Sequence, residues 1–221
     1  MSDETQHYFS ATPAGDYRPR EVEVDLAGSA RTVVTAGGVF SPDGIDRGTE
    51  VLLRWLDEVE EPSGAGATPD RSASPEPDQA SAILDIGCGW GPIAVSAALA
   101  HPDRQIWAID VNARSRELCE QNAARLGAVN VHVVEPDAVP ADLEFAEIRS
   151  NPPIRVGKEA LHVILRQWLP RLADGGSASL VVAKHLGAES LAKWIAREFP
   201  TLAVERAHRD RGFHVLRVTR E

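Results

Sequence analysis

The stretch Asp85-Ile86-Gly87-Cys88-Gly89-Trp90-Gly91-Pro92 constrains the fold more than any other part of the chain. It follows a short apolar run, Ala82 to Ile86, and precedes a longer one, Pro92 to Ala100. The first has the length of a buried strand and the second that of a helix. Proline suits the first helical turn, where its missing N–H would be unpaired anyway. Three glycines at alternate positions let backbone approach a ligand where any Cβ would collide. The amides at the start of the helix can receive an anionic group such as a carboxylate.

Beyond this unit the pattern keeps alternating. Strands are expected at Gln105–Ile109, Val129–Val134, Phe145–Arg149 and Ser177–Ala183. Helices are expected at Ala113–Leu126, closed by Gly127, then at Lys158–Leu169 and Ala188–Glu198. Leu202–Arg206 and Phe213–Val218 follow each other as strands without a helix between them. This order predicts an α/β fold: a mostly parallel seven-stranded sheet, helices on both faces, and an antiparallel hairpin at the C-terminal edge.

Ahead of the sheet, Glu21–Leu26 alternates strictly and Arg31–Thr35 follows after Ala27–Ala30, which predicts a small β-hairpin. Thr49–Val59 carries apolar residues at helical spacing. Residues Glu60 to Ala80 lack periodicity and are dense in Pro, Gly, Ser and Ala, so a disordered surface loop is expected. The division expected is 1–59, a hairpin and helix packed on the catalytic part; 60–80, the loop; and 81–221, the core, all in one structural domain.

Composition narrows the function classes. Net charge is −10, with 23 basic and 33 acidic residues, which argues against a protein that coats nucleic acid non-specifically. Glu60, Glu61, Asp70, Glu76 and Asp78 against Arg71 place part of that charge in the loop. The arginines at 18, 20 and 31 and the run Arg206-Ala207-His208-Arg209-Asp210-Arg211 can form a local basic rim or an ordinary solvated surface. Two cysteines give no disulfide framework. No run is long enough to span a bilayer, and the polar opening Met1–Gln6 lacks the character of a secretory signal. A cytoplasmic protein, monomeric or weakly dimeric and free of membrane, is expected. The seven histidines show no metal-ligand spacing, so no metal site is expected.

A dinucleotide fingerprint fails here, because the third glycine of G-x-G-x-x-G would fall on Pro92. The D-x-G-x-G-x-G pattern from Asp85 instead resembles the S-adenosylmethionine (SAM) loop of class I methyltransferases. Asp110 ends the second sheet strand, 19 positions after Gly91. An acid there can accept both ribose hydroxyls of a nucleoside, or cap the next helix, as Asn112 also can. Glu135-Pro136-Asp137-Ala138 places Asp137 where the resemblance implies a contact to the adenine amino group; a turn role is the alternative.

Ser150-Asn151-Pro152-Pro153-Ile154 follows the fourth sheet strand, at the carboxyl edge where such folds bind ligands. Two prolines stiffen the backbone and remove two donors, leaving carbonyl acceptors. The Asn151 side-chain oxygen and the Pro152 carbonyl can hold the two hydrogens of one planar amino group. The nitrogen lone pair then turns out of conjugation toward a methyl donor. Such positioning can supply up to about 7–11 kcal/mol. Carbon methylation would need a cysteine nucleophile, and Cys88 and Cys119 lie in the loop and in a helix instead.

Together with Arg155, Gly157, Lys158 and His162, the Asn-Pro-Pro motif resembles small-domain class I methyltransferases related to the 16S ribosomal RNA guanine-N2 enzymes. Tyr8-Phe9-Ser10, Gly38-Val39-Phe40-Ser41 and Ile45-Asp46-Arg47-Gly48-Thr49 resemble the N-terminal part of that family. The resemblance implies a Rossmann-like core with SAM as cofactor and an RNA partner, ribosomal RNA or the small subunit. It implies Asn151, Pro152, Pro153 and Ile154 as catalytic residues. Cofactor contacts would come from Phe40, Ser41, Thr49, Asp85, Gly87, Cys88, Gly89, Gly91, Asp110, Val111, Asn112, Asp137, Ala138 and Asn151, with Gly48 helping to close over it. Arg155 and Lys158 would bind substrate. Ile154 departs from the aromatic residue that stacks on the flipped base in related enzymes. Arg155 can compensate by stacking or by binding phosphate, or can lie in a surface ion pair.

The activity expected is methyl transfer to guanine N2 of ribosomal RNA. Alternatives are another amine (a DNA adenine, a protein glutamine or a metabolite) and a catalytically silent SAM-binding module.

Overall fold

A computed structural model describes residues 17–60, 81–153 and 157–221. Within it, β1 (Arg20–Leu26) and β2 (Ser29–Thr35) form a separate antiparallel hairpin. Its turn is only two residues long, Ala27 and Gly28, both with positive φ. That geometry matches the right-handed twist of the strands, so β2 begins at Ser29 rather than at the expected Arg31. Helix α1 (Arg47–Glu60) follows.

The main sheet is built from β3 (Ile83–Ile86), β4 (Ile106–Ile109), β5 (Val131–Val134), β6 (Phe145–Ser150), β7 (Leu172–Ala183), β8 (Leu202–Asp210) and β9 (Phe213–Arg220). Their spatial order is β5-β4-β3-β6-β7-β9-β8. The first five pair in parallel, and β9 is antiparallel to both β7 and β8, as the alternation predicts. The intervening helices are α2 (Pro92–Ala100), α3 (Ala113–Leu126), α4 (Lys158–Trp168) and α5 (Ala188–Glu198). Chain order reverses between β3 and β6, so the crevice above their carboxyl ends is the topological switch point where such sheets bind ligands.

Two cores lie on opposite sides of the sheet. One joins Ile83, Ile106 and Ala108 to α1, α2, α3 and the hairpin. The other joins Leu84, Ile86 and Ile148 to Leu161, Trp168, Leu191 and Ile195 of α4 and α5. Alternate residues of each strand therefore serve opposite layers, and β3 is buried at every position.

The structure corrects several expected boundaries. Strand β7 starts five residues early because Asp174-Gly175-Gly176 continues the strand instead of ending it. Gly175 has a φ of 74°, and a Cβ on Gly176 would lie 2.8 Å from the Ala173 carbonyl oxygen, so only glycines fit this irregularity. Arg206–Asp210 belongs to β8, which meets β9 through a second two-residue turn, Arg211-Gly212. Glu60, assigned above to a loop, is the last residue of α1. Its carboxylate holds buried Arg149 on β6 and lies 2.9 Å from His101 Nε2. The rest of that expected loop, 61–80, lies outside the described residues. No described helix is long and apolar enough to cross a membrane.

Candidate active site

The glycine loop leaves β3 at the switch point. Gly87, Gly89 and Gly91 adopt φ of 75°, 56° and 99°, a region costly for residues with a Cβ. A Cβ on Gly87 or Gly89 would meet nothing within 4 Å, so the outer side of the loop is open to a ligand. Gly91 differs: a Cβ there would lie 2.9 Å from Cys119 Sγ. The loop is held from beneath, with the Gly87 and Cys88 amides both donating to the Ile109 carbonyl at 2.9 Å.

Asp110 accepts from the Gly89 amide at 3.0 Å and from the Asn112 amide at 2.8 Å. Its carboxylate thus clips the loop to the end of β4, and burial raises its pKa. The helix-capping role falls to Asn112, whose side-chain oxygen accepts from the Arg114 and Ser115 amides. The two readings of Asp110 are separated accordingly: it does not cap α3. Asp85 is fully buried under the loop and accepts from the Ala94 amide at 3.0 Å. Burial pushes its carboxyl up to about 8, and its Oδ1 has no hydrogen-bond partner among the described residues. The Cys88 thiol is held well above its ordinary range by a hydrogen bond with Cys119 and by burial. A buried thiol of that kind is a poor nucleophile.

Asn151 follows β6 directly, facing the loop across the crevice. Its amide nitrogen donates to Asp46 Oδ2 and to Thr49 Oγ1, each at 3.0 Å. An ionised carboxylate only accepts, so Asp46 sets which way round the amide sits. Both amide hydrogens are used, and the side-chain oxygen is left as an acceptor. Asp46 also caps α1, accepting from the Gly48 amide at 2.8 Å. The first turn of α1 therefore orients Asn151. On the other side, Ser150 Oγ donates to the Ile86 carbonyl at 2.7 Å, tying the ends of β6 and β3 together. Pro152 is buried and Pro153 half-buried. Ile154 and Arg155 lie outside the described residues.

A pocket at this point is lined by Phe40, Ser41, Asp46, Thr49, Asn151, the loop residues Gly87 to Trp90, and Pro92 and Ile93 at the start of α2. Its outer wall is the 37–44 segment. Ser41 Oγ donates to the Gly44 carbonyl at 2.8 Å, and Trp90 Nε1 donates to the Ser41 carbonyl at 3.2 Å. Asn112 and Arg114 donate to the Gly38 and Gly37 carbonyls at 2.9 and 2.7 Å. Fully buried Asn122 exchanges hydrogen bonds with the backbone of Val34 (2.7 and 2.9 Å) and donates to the Trp90 carbonyl at 2.9 Å. One amide thus joins the hairpin, α3 and the glycine loop.

Of the residues singled out from the sequence, Phe40, Ser41, Thr49, Gly87, Cys88, Gly89 and Asn151 meet in this pocket. Asp85, Gly91 and Asp110 support it from below or beside it. Val111, Asn112, Asp137, Ala138, Pro152, Pro153 and Lys158 do not line it. Val111, Asp137 and Ala138 are exposed near the ends of β4 and β5. Sequence reasoning missed Asp46 as a site residue. Its signal was an acid just before a helical apolar pattern, where a cap is expected, but nothing in the sequence pairs it with Asn151.

Three arginines of the suggested basic rim are engaged by carboxylates. Arg206 lies 3.7 Å from Glu189, Arg211 lies 3.2 Å from Glu50, and Arg20 pairs with Asp43. Among the described residues no group of three or more His, Cys, Asp or Glu is placed to hold a metal.

Known proteins carry the same architecture. The chain is 32% identical over 216 residues to the uncharacterized protein YbxB of Bacillus subtilis (strain 168), covering 96% of this chain and 98% of that protein. It is 26% identical over 208 residues to the ribosomal RNA small subunit methyltransferase C of Shewanella loihica, covering 92% of this chain but 50% of that one. The chain thus spans about half the length of the ribosomal RNA methyltransferases it matches. Among solved structures, the Thermus thermophilus 16S rRNA N2 G1207 methyltransferase in complex with AdoMet and guanosine superposes with a TM-score of 0.72. That match has 20% identity and covers 95% of this chain and 52% of the other. The profile of the methyltransferase small domain matches residues 30–217, and the chain belongs to that family.

Proposed function

We propose that this protein is a SAM-dependent N-methyltransferase acting on an exocyclic amino group, guanine N2 of ribosomal RNA. The observation that carries the reading is the Asn151 amide, oriented by Asp46 and Thr49 so that its oxygen remains an acceptor beside the open glycine loop. Family membership and the relatives named as ribosomal RNA methyltransferases support the methyl-transfer chemistry and an RNA substrate. The neighbour solved with AdoMet and guanosine supports the cofactor and the base.

The loop fits the cofactor: Gly87 and Gly89 leave open ground, and each Asp110 oxygen keeps a lone pair beyond the one it shares with an amide. Asp85 supports the loop, Val111 and Asn112 lie beside Asp110, and Asp137 with Ala138, exposed after β5, would meet the adenine edge. Phe40, Ser41 and Thr49 close the site. SAM supplies an electrophilic methyl on a sulfonium sulfur. The Asn151 oxygen and the Pro152 carbonyl accept the two hydrogens of the target amine, pointing its lone pair at that methyl. The N–methyl bond would form as the methyl–sulfur bond breaks and a neutral thioether leaves; the cationic nitrogen would then lose its proton to water, so no base need be charged in advance. Catalysis is mainly positioning, which rewards the stiffness of Pro152-Pro153. Lys158 would meet RNA phosphate; a role for Ile154 against the base and for Arg155 on phosphate rests on the sequence motif alone.

Purified protein with tritiated SAM and either small ribosomal subunits or naked 16S rRNA tests this. Label in N2-methylguanosine after nuclease digestion is expected. Transfer to RNA that yields a different nucleoside overturns the N2 assignment, and label confined to protein or small molecules overturns the RNA reading.

A further inference from the structure

A second concave surface runs from the sheet's carboxyl rim along α5, apart from the pocket that holds Asn151. It is lined by Lys158 and His162 of α4, Lys184 after β7, and Lys193, Trp194 and Arg197 of α5, with Gly187, Glu189 and Ser190 at its end. In a chain of net charge −10 this is a concentration of one sign: four permanent cations against a single carboxylate. Glu189 is itself 3.7 Å from Arg206. Lys158, Lys184, Lys193 and Arg197 are exposed, and among the described residues none forms a close ion pair, though Arg197 lies in Coulomb range of Glu198. Other surface arginines here pair readily, as Arg54, Arg125 and Arg166 do. Leaving these four unpaired costs self-repulsion that a bound polyanion would relieve.

Two further features fit the same ligand. The N-caps of α4 and α5, Gly157 and Gly187, offer no side chain to the first-turn amides, and Gly187 itself lines the groove, which places the positive end of α5 there. The floor is an aromatic platform: His162 stacks on Trp194 with ring centroids 3.7 Å apart and planes 2° from parallel. Position ties the groove to the site. Lys158 is seven residues after Asn151, and Lys184 follows β7, whose Leu180 pairs with Ser150.

We infer that the groove between α4 and α5, built on Lys158, Lys184, Lys193 and Arg197, is a binding track for the phosphate backbone of RNA flanking the methylated nucleotide. The inference rests on the RNA reading above and deepens it by naming the surface that grips the strand. It accounts for how an acidic protein holds a polyanion: the cations are few but gathered along one groove.

The test is fluorescence anisotropy with a fluorescein-labelled fragment of 16S rRNA, measured across salt concentration. Changing Lys184→Gln, Lys193→Gln and Arg197→Gln together should weaken Kd by about tenfold or more and lower the salt slope of log K by about 2, while calorimetric SAM affinity stays unchanged. Glu189→Lys should tighten RNA binding. Unchanged Kd and slope in both variants overturn the groove, as does capture of a labelled poly-glutamate peptide through these residues with RNA binding unaffected. Wild-type protein that binds RNA through the groove yet transfers no methyl to it overturns the proposed activity and leaves the groove standing.

Discussion

Asn151 Nδ2 lies 3.0 Å from Oδ2 of Asp46, two residues separated by 105 positions in sequence and joined across the mouth of the pocket. The bond makes a helix cap into an orienting device. Both the cap and the Asn151 contact end on Oδ2, so in Asp46→Asn one amide oxygen can serve both, and kcat is expected to fall by less than about tenfold. Asp46→Ala removes both: the Asn151 amide can then flip, and a kcat lower by about a hundredfold is expected. The lost cap should cost about 1 kcal/mol of stability. Steady-state kinetics beside thermal unfolding separate the two.

Gly89 and Gly91 should fail in different ways. Gly91→Ala drives a Cβ to 2.9 Å from Cys119 Sγ at a φ of 99°, so both crowding and backbone strain apply. A loss of about 2–4 kcal/mol is expected in urea unfolding. Gly89→Ala meets no neighbour, so its stability cost is the strain alone, about 1–2 kcal/mol, while the new methyl stands on the open side of the loop. Calorimetry should show its SAM affinity reduced at least tenfold. Equal SAM affinity in the Gly89→Ala and wild-type proteins would place the ligand elsewhere.

Asn122 joins three elements through one fully buried amide. In Asn122→Ala the Val34 amide and two carbonyls lose their partner. Each buried orphan costs about 1–3 kcal/mol, so a loss of about 3 kcal/mol or more is expected. Hydrogen exchange should show the Val34 amide exposed well before β3 and β6.

Asp85 makes stability depend on pH. Burial raises its folded carboxyl to about 8 from the ordinary 3.8. Between those values the folded state holds a proton that the unfolded state has released. Unfolding free energy therefore falls as pH rises from about 4 to about 8, with a contribution of up to about 1.4 kcal/mol per pH unit, and levels off above that. Asp85→Asn, which cannot ionise, should flatten that slope in denaturant titrations at pH 5, 6, 7 and 8. An unchanged slope would show that Asp85 is ionised in the folded protein.

The alternation of apolar runs and the loop around Gly87 were enough to state the sheet, its helices and its antiparallel edge, because burial on two faces and positive φ write themselves into local residue choice. Boundaries were less legible. The strand expected from Ser177 stops short of Gly175-Gly176, and only the fold shows these glycines, crowded against Ala173, to continue it. Glu60 reads as the start of a loop until Arg149 is seen against it.

For the site, the chain itself determined the residue types that can do the chemistry: glycines that free a loop, and an Asn followed by prolines that free carbonyls. Tertiary structure decided how they are aimed. The Asp46–Asn151 bond, the strut of Asn122 and the gathering of Lys158, Lys184, Lys193 and Arg197 all join residues distant in sequence. Local propensity carries no information about such pairs, since their energies exist only once packing has brought the partners within hydrogen-bond or Coulomb range.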